Sequence, residues 1–162
     1  AALVYLAEIL GGSGATSVLG TELQFDTQQA IYTSAYYGGT ALDNTTFGLI
    51  AVPVPGVSLQ QVEDAMDAAI AKFMATGINL ETFERIKMQM RASEIYAMDN
   101  VEGIANRYGA ALTQGLTIAD VQEWPRILQE VTPDEVMVAA RLVFDQKASV
   151  TGWLMGPQEE LK

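Results

Sequence analysis

Histidine and cysteine are both absent from this 162-residue chain. The first absence excludes an imidazole general base, a Ser-His-Asp relay and any histidine ligand for zinc. The second excludes a thiolate nucleophile, a disulfide and a cysteine-rich metal site. Chemistry done by these residues alone would rest on carboxylates, lysine, tyrosine or hydroxyls. No apolar run approaches the roughly 18 residues that a membrane-spanning helix needs, because AALVYLAEIL stops at Gly11-Gly12. The start also lacks the basic leader of a signal peptide. Positive charge is missing from a whole stretch. The first Lys or Arg is Lys72, and ahead of it Glu8, Glu22, Asp26, Asp43, Glu63, Asp64 and Asp67 stand unopposed in a chain of net charge −11. Such a surface repels phosphate backbones and anionic membranes, which argues against nucleic acid as a partner. It serves either solubility alone or an acidic face for a basic partner or peptide. A cysteine-free chain suits cytoplasm and periplasm alike, so the compartment stays open.

What is present is the composition of a packed core, with 49% hydrophobic and 18% charged residues. A chain of this size buries roughly two-thirds of its unfolded surface without staples. It opens without Met and without a helix cap, already in helical periodicity. We read 1–162 as a single domain and as a fragment of a longer chain.

Leu3, Leu6, Ile9 and Leu10 share one helical face, and Gly11-Gly12 supply a stop. Ser13 to Phe25 reads as a second helix. The period then changes: AIYTSAYY (30–37) and TFGLIAVPV (46–54) are rich in strand-forming residues and are joined by a GGTALDN loop, which predicts an antiparallel pair. Pro53 and Pro55 place the second strand at a sheet edge. From Ser58 the pattern is helical. Ser58 with Gln61 forms a capping box, Asn79 caps the next helix, whose spacing puts Leu80, Phe83, Ile86 and Met90 on its buried stripe, and a break falls at Asp99-Asn100. Thr117 and Asp120 open a short helix carrying Trp124 before Pro125, and Thr132-Pro133-Asp134-Glu135 starts the last one. ASVTGWLMG (148–156) reads as a strand that rejoins the pair. Strands that pair antiparallel, with the helices grouped, predict an α+β fold whose sheet is covered on one face by helices.

Four patterns invite a chemical reading and lose it on context. Gly11-Gly12-Ser13-Gly14 follows a helix and lacks the continuation of a phosphate loop. Asp43-Asn44-Thr45-Thr46 lacks the spaced carboxylates of a calcium loop and reads as a turn. Glu63, Asp64 and Asp67 lie in the first turns of a helix, where acids favour the dipole. Met66, Met74, Met88, Met90 and Met98 suggest an adaptable groove, but their place beside Ile and Phe favours core packing. Tyr32, Tyr36 and Tyr37 are the most informative set. On a regular strand Tyr32 and Tyr36 share one face and Tyr37 takes the other. An uncovered face would offer rings and hydroxyls to an extended peptide, which makes Tyr32 and Tyr36 candidate substrate-binding residues. No pair of acids has the spacing of a catalytic dyad, so no catalytic and no metal-ligating residue is assigned.

The segments YLAEILGGSGATS (5–17), AYYGGTALDNTTFGLIAVPVPGVS (35–58), GINLETFERIKMQM (77–90), VTPDEVMVAARLVF (131–144) and SVTGWLMGP (149–157) together resemble one family. It is the C-terminal, second domain of bacterial peptidase M16 proteins, the pitrilysin, insulinase and mitochondrial-processing-peptidase-like zinc peptidases. The resemblance implies an α+β domain with an antiparallel sheet, here short of its first strand or strands. It also implies a homologous N-terminal domain or partner subunit that, with this one, encloses a peptide. The family's zinc is held by an inverted His-x-x-Glu-His motif on that other domain, so the resemblance implies no cofactor in this chain. Many members supply an Arg and a Tyr from the second domain to hold the substrate backbone. Gln24 and Ile31 fall at those positions and match neither. Tyr32 lies one residue beyond, on the opposite strand face from Ile31 if the strand is regular. The resemblance therefore implies either the substrate-holding half of a zinc peptidase or a degenerate, non-catalytic structural subunit.

Overall fold

The computed structural model describes residues 1–156. Helix α1 (Ala2–Ala7) continues into a π-helical stretch, Glu8–Gly12, and the chain leaves it at Ser13 in extended conformation. A second π-helical stretch, Gly20–Asp26, leads to the hairpin of β1 (Ala30–Tyr37) and β2 (Phe47–Pro53). Five helices follow: α2 (Leu59–Thr76), α3 (Leu80–Ala97), α4 (Val101–Thr113), α5 (Ile118–Glu130) and α6 (Pro133–Val143). The fold is α+β, as the strand and helix patterns predict. The sheet is one antiparallel pair, and α1, α2 and both π-helical stretches pack against it.

Each long helix starts where its side chains answer orphan backbone donors. Ser58 Oγ accepts from Gln61 N at 3.2 Å while Gln61 Oε1 accepts from Ser58 N at 2.9 Å. Thr117 with Asp120 and Thr132 with Glu135 form the same reciprocal box. Asn79 and Asn100 cap α3 and α4 through their side-chain oxygens. Gly77 ends α2 at φ 76°, a conformation that glycine adopts without a side-chain clash.

The main core joins the start of the chain to its end. Tyr5, Leu6, Leu10, Phe83 and Val136 are fully or almost fully buried in one cluster with Phe73, Ile86 and Ala140. Tyr5 is its centre: its ring stacks on Phe83 at 5.1 Å between centroids, and its hydroxyl donates to Leu128 O at 3.0 Å. Burial first, and the Glu84 charge second, push this phenol above its ordinary value. A second cluster, Leu19, Leu23, Ala30, Val62 and Ala69, fixes the second π-helical stretch against β1 and α2.

Four local expectations change. The helix expected over 13–25 acquires helical backbone only from Val18, because residues 14–16 form a turn. Helix α5 does not stop at Pro125 but runs through it to Glu130, held by the buried Val121 and Leu128. Leu80, placed on the buried stripe of α3 by spacing, is 66% exposed because it sits at the helix start, beyond the reach of the core. Residues 149–156 form no strand: a 3-10 turn at Gln146–Ala148 precedes them, and Trp153 instead donates Nε1–H to Glu63 Oε2 at 2.7 Å on α2. A strand needs a neighbouring ladder, and the hairpin does not extend one to this segment. Pro157 lies outside the described residues.

Candidate functional site on the open face of the hairpin

The hairpin register sorts the residues of both strands into two faces. Thr33 pairs with Ala51, Ala35 with Leu49 and Tyr37 with Phe47. These point to the helices: Thr33 and Ala35 are buried, and Tyr37, Phe47 and Leu49 pack against the core. Phe47 also meets Phe144 edge-on. Close approach on this side depends on Gly11. A Cβ there would collide with the backbone at Ser34 and Ala35, so the π-helical end lies directly on β1. Gly11 thus serves packing against the strand.

The other face pairs Tyr32 with Val52, Ser34 with Ile50 and Tyr36 with Gly48. Here Tyr32 is 52% exposed, Tyr36 50%, Ile50 44% and Val52 39%. Tyr32 and Tyr36 therefore share one open face, and Tyr37 takes the covered one. The Tyr36 ring lies over its partner Gly48, where any Cβ would strike the ring and hydroxyl. Ile50, Val52 and Gly48 were not singled out by sequence. Their signal was hidden because FGLIAVP is apolar at nearly every position, so period-2 alternation does not separate its faces.

One expectation about this face is overturned. Ladder partners step from Ala30–Pro53 to Tyr32–Val52, which leaves Ile31 unpaired in a β-bulge. A bulge breaks the period of two, so Ile31 and Tyr32 are both exposed where a regular strand would send them to opposite sides. The bulge follows Gln28, whose φ of 52° turns the chain from the second π-helical stretch into β1. Gln24 does not join the open face. Its Nε2 donates to Thr33 Oγ1 at 2.7 Å, on the helix side of the strand.

The remaining candidates are structural. Asp43 Oδ1 accepts from Asn44 N at 2.7 Å within the hairpin loop, which bends at residues 42–43 without a hydrogen-bonded turn over 43–46. On α2, Asp64 accepts from Gln60 Nε2 at 2.8 Å and Glu63 accepts from Trp153. Partial burial, then the Glu63 and Asp64 charges, raises the Asp67 carboxyl above its usual range. Met66, Met74 and Met90 pack against the cores, whereas Met88 and Met98 are exposed. A cleft of about 220 Å³ beside α2 has Lys72 and Glu22 on its wall, where they form an ion pair with each other. Among the described residues no three His, Cys, Asp or Glu side chains converge to hold a metal ion. No helix of the described residues is long and apolar enough to cross a membrane.

The fold and its open hairpin face define an α+β domain without a metal-binding set of its own among the described residues. A family model described as the peptidase M16 inactive domain matches residues 1–90, and the chain belongs to the peptidase M16 family. No curated protein matches the chain by sequence. Solved structures share the fold. A protease from Helicobacter pylori superposes with a TM-score of 0.79 at 18% identity, covering 87% of this chain and 33% of that one. A chain from Bordetella pertussis Tohama I, named as a candidate zinc protease, gives a TM-score of 0.69 at 19% identity and covers 86% of this chain and 75% of that one.

Proposed function

We propose that residues 1–162 form one domain that is the substrate-holding half of a peptidase M16 zinc protease. An extended peptide lies against the open hairpin face while zinc on a homologous N-terminal domain or partner subunit activates the water that cleaves it. The observation that carries this reading is the exposed pair Tyr32 and Tyr36 on a sheet face free of helices. Two phenols on a rigid strand supply rings for packing and hydroxyls for a peptide backbone. The family match and the lack of a metal-binding cluster among the described residues fit a half that positions substrate and leaves activation of water to another domain. Tyr32, one residue past the family's position, lies exposed in regular alternation with Tyr36, which supports a use for it.

Reconstitution tests this reading. Cleavage of an unstructured peptide should require this half together with the chain bearing the zinc motif. Cleavage by the zinc-bearing chain alone, unaffected by this half, overturns it.

A second reading, a degenerate assembly subunit, is favoured by one contact. Gln24, at the position of the family's arginine, is tied to Thr33 and does not reach the open face. Loss of the family assembly without loss of peptide binding after removal of this half would select it.

A further inference from the structure

The acidic stretch 1–71, free of Lys and Arg, suggests a basic peptide, yet the open face itself carries no charge. Its six residues, Tyr32, Ser34, Tyr36, Gly48, Ile50 and Val52, are all neutral. The acids of that stretch are placed elsewhere. Glu22 pairs with Lys72, which also feels Asp26. Glu63 holds Trp153, Asp64 holds the Gln60 amide, and Asp67 lies in the field of both acids. Glu8 folds beside Gly12, and Asp43 accepts from the Asn44 backbone N–H in the hairpin loop. Charge near the face is thus a diffuse field, screened over about 8 Å at physiological salt, whereas contact at the face is with rings and branched aliphatic chains.

We infer that the peptide segment received by this face is selected for apolar side chains at alternate positions and not for positive charge. This inference rests on the substrate-holding role proposed above. Extended chains repeat their side-chain direction every second residue, roughly 6.6 Å apart, and the rows of the face repeat with the same period. Tyr32 beside Val52 and Tyr36 beside Gly48 then form two contact points four residues apart, with Ile50 between them. Gly48, having no side chain, leaves room for the outer end of the Tyr36 ring over the sheet. A lysine or arginine placed there would give up hydration without meeting a carboxylate.

The test uses the intact protein with any chain that copurifies with it. Three peptides of equal length are titrated at low and at high salt, with alternate positions occupied by Leu, by Lys or by Ser. The Leu peptide should bind at least tenfold tighter than the Lys and Ser peptides at high salt, with little dependence on salt. In Ile50→Glu the preference should invert, the Leu peptide weakening about tenfold and the Lys peptide strengthening, a swap that misfolding does not produce. Tighter binding of the Lys peptide that persists at high salt overturns this inference and leaves the peptide-holding role standing. Binding of none of the three overturns both.

Discussion

The Tyr36 ring reaches over Gly48, its direct partner across the hairpin, and its outer end occupies the place where a side chain would stand. The strand-weakening glycine is shielded by the neighbouring aromatic. In Gly48→Ala the new methyl meets the outer end of the Tyr36 ring, which is free to swing into solvent. Stability should fall by under about 1 kcal/mol, in line with a mostly exposed strand position. The ring should nevertheless leave the face, visible as a loss of cross-strand contacts between the Tyr36 ring and residue 48 in NMR spectra. Peptide affinity should drop with it. An unchanged Tyr36 environment would contradict the packing described.

Gly11→Ala should behave in the opposite way. Its methyl would meet main-chain atoms of Ser34 and Ala35, which cannot rotate aside. The π-helical end and β1 must separate, so overpacking should cost at least about 1–3 kcal/mol. Thermal unfolding should report a melting point lower by roughly 2–4 °C per kcal/mol for a chain of this size.

Tyr5→Phe tests the core. The substitution keeps the stack on Phe83 but leaves the buried Leu128 carbonyl without its hydroxyl donor. An unsatisfied buried acceptor costs about 1–3 kcal/mol, measurable by denaturant unfolding with an unchanged m-value. Tyr5→Ala should cost more, about 3–5 kcal/mol, because a cavity is added.

Acid should act on two groups in opposite directions. Backbone and hydroxyl hydrogen bonds from Thr132 hold the Glu135 carboxyl below its ordinary value. Its contribution is complete above the ordinary carboxylate range and is lost as pH falls through the lowered value. Asp67 is raised, so the folded state prefers its protonated form, and its unfavourable contribution disappears as pH falls through the raised value. Asp67→Asn should therefore raise the melting temperature at neutral pH and leave it unchanged near pH 3. Thr132→Ala should lower the neutral-pH melting temperature and weaken the decline on acidification. Equal shifts of either variant at both pH values would refute the assignment.

Much of the fold was legible because local signals agreed with one another. Ser58 with Gln61, Thr132 with Glu135 and the asparagines at 79 and 100 mark helix starts through bonds made within a single turn. Leu6, Ile9 and Leu10 reveal their buried face by spacing, and the two strand runs identify each other across one loop. Where reading failed, a distant partner decided. Pro125 lies within a continuous helix because α5 is anchored by Val121 and Leu128 on either side. Residues 149–156 have a strand pattern but no ladder to join, and Glu63 takes up Trp153.

By itself the sequence determined the α+β class, the helix boundaries set by caps, the absence of histidine and cysteine chemistry, and the resemblance to peptidase M16. These follow from composition and from interactions spanning a few residues. Only the tertiary structure decided which side of the hairpin is open, that a bulge leaves Ile31 exposed beside Tyr32, and that Gln24 is tied to Thr33. The reason is geometric: a one-residue change of register exchanges the faces of a strand, and register is set by the partner strand and the helices packed on it.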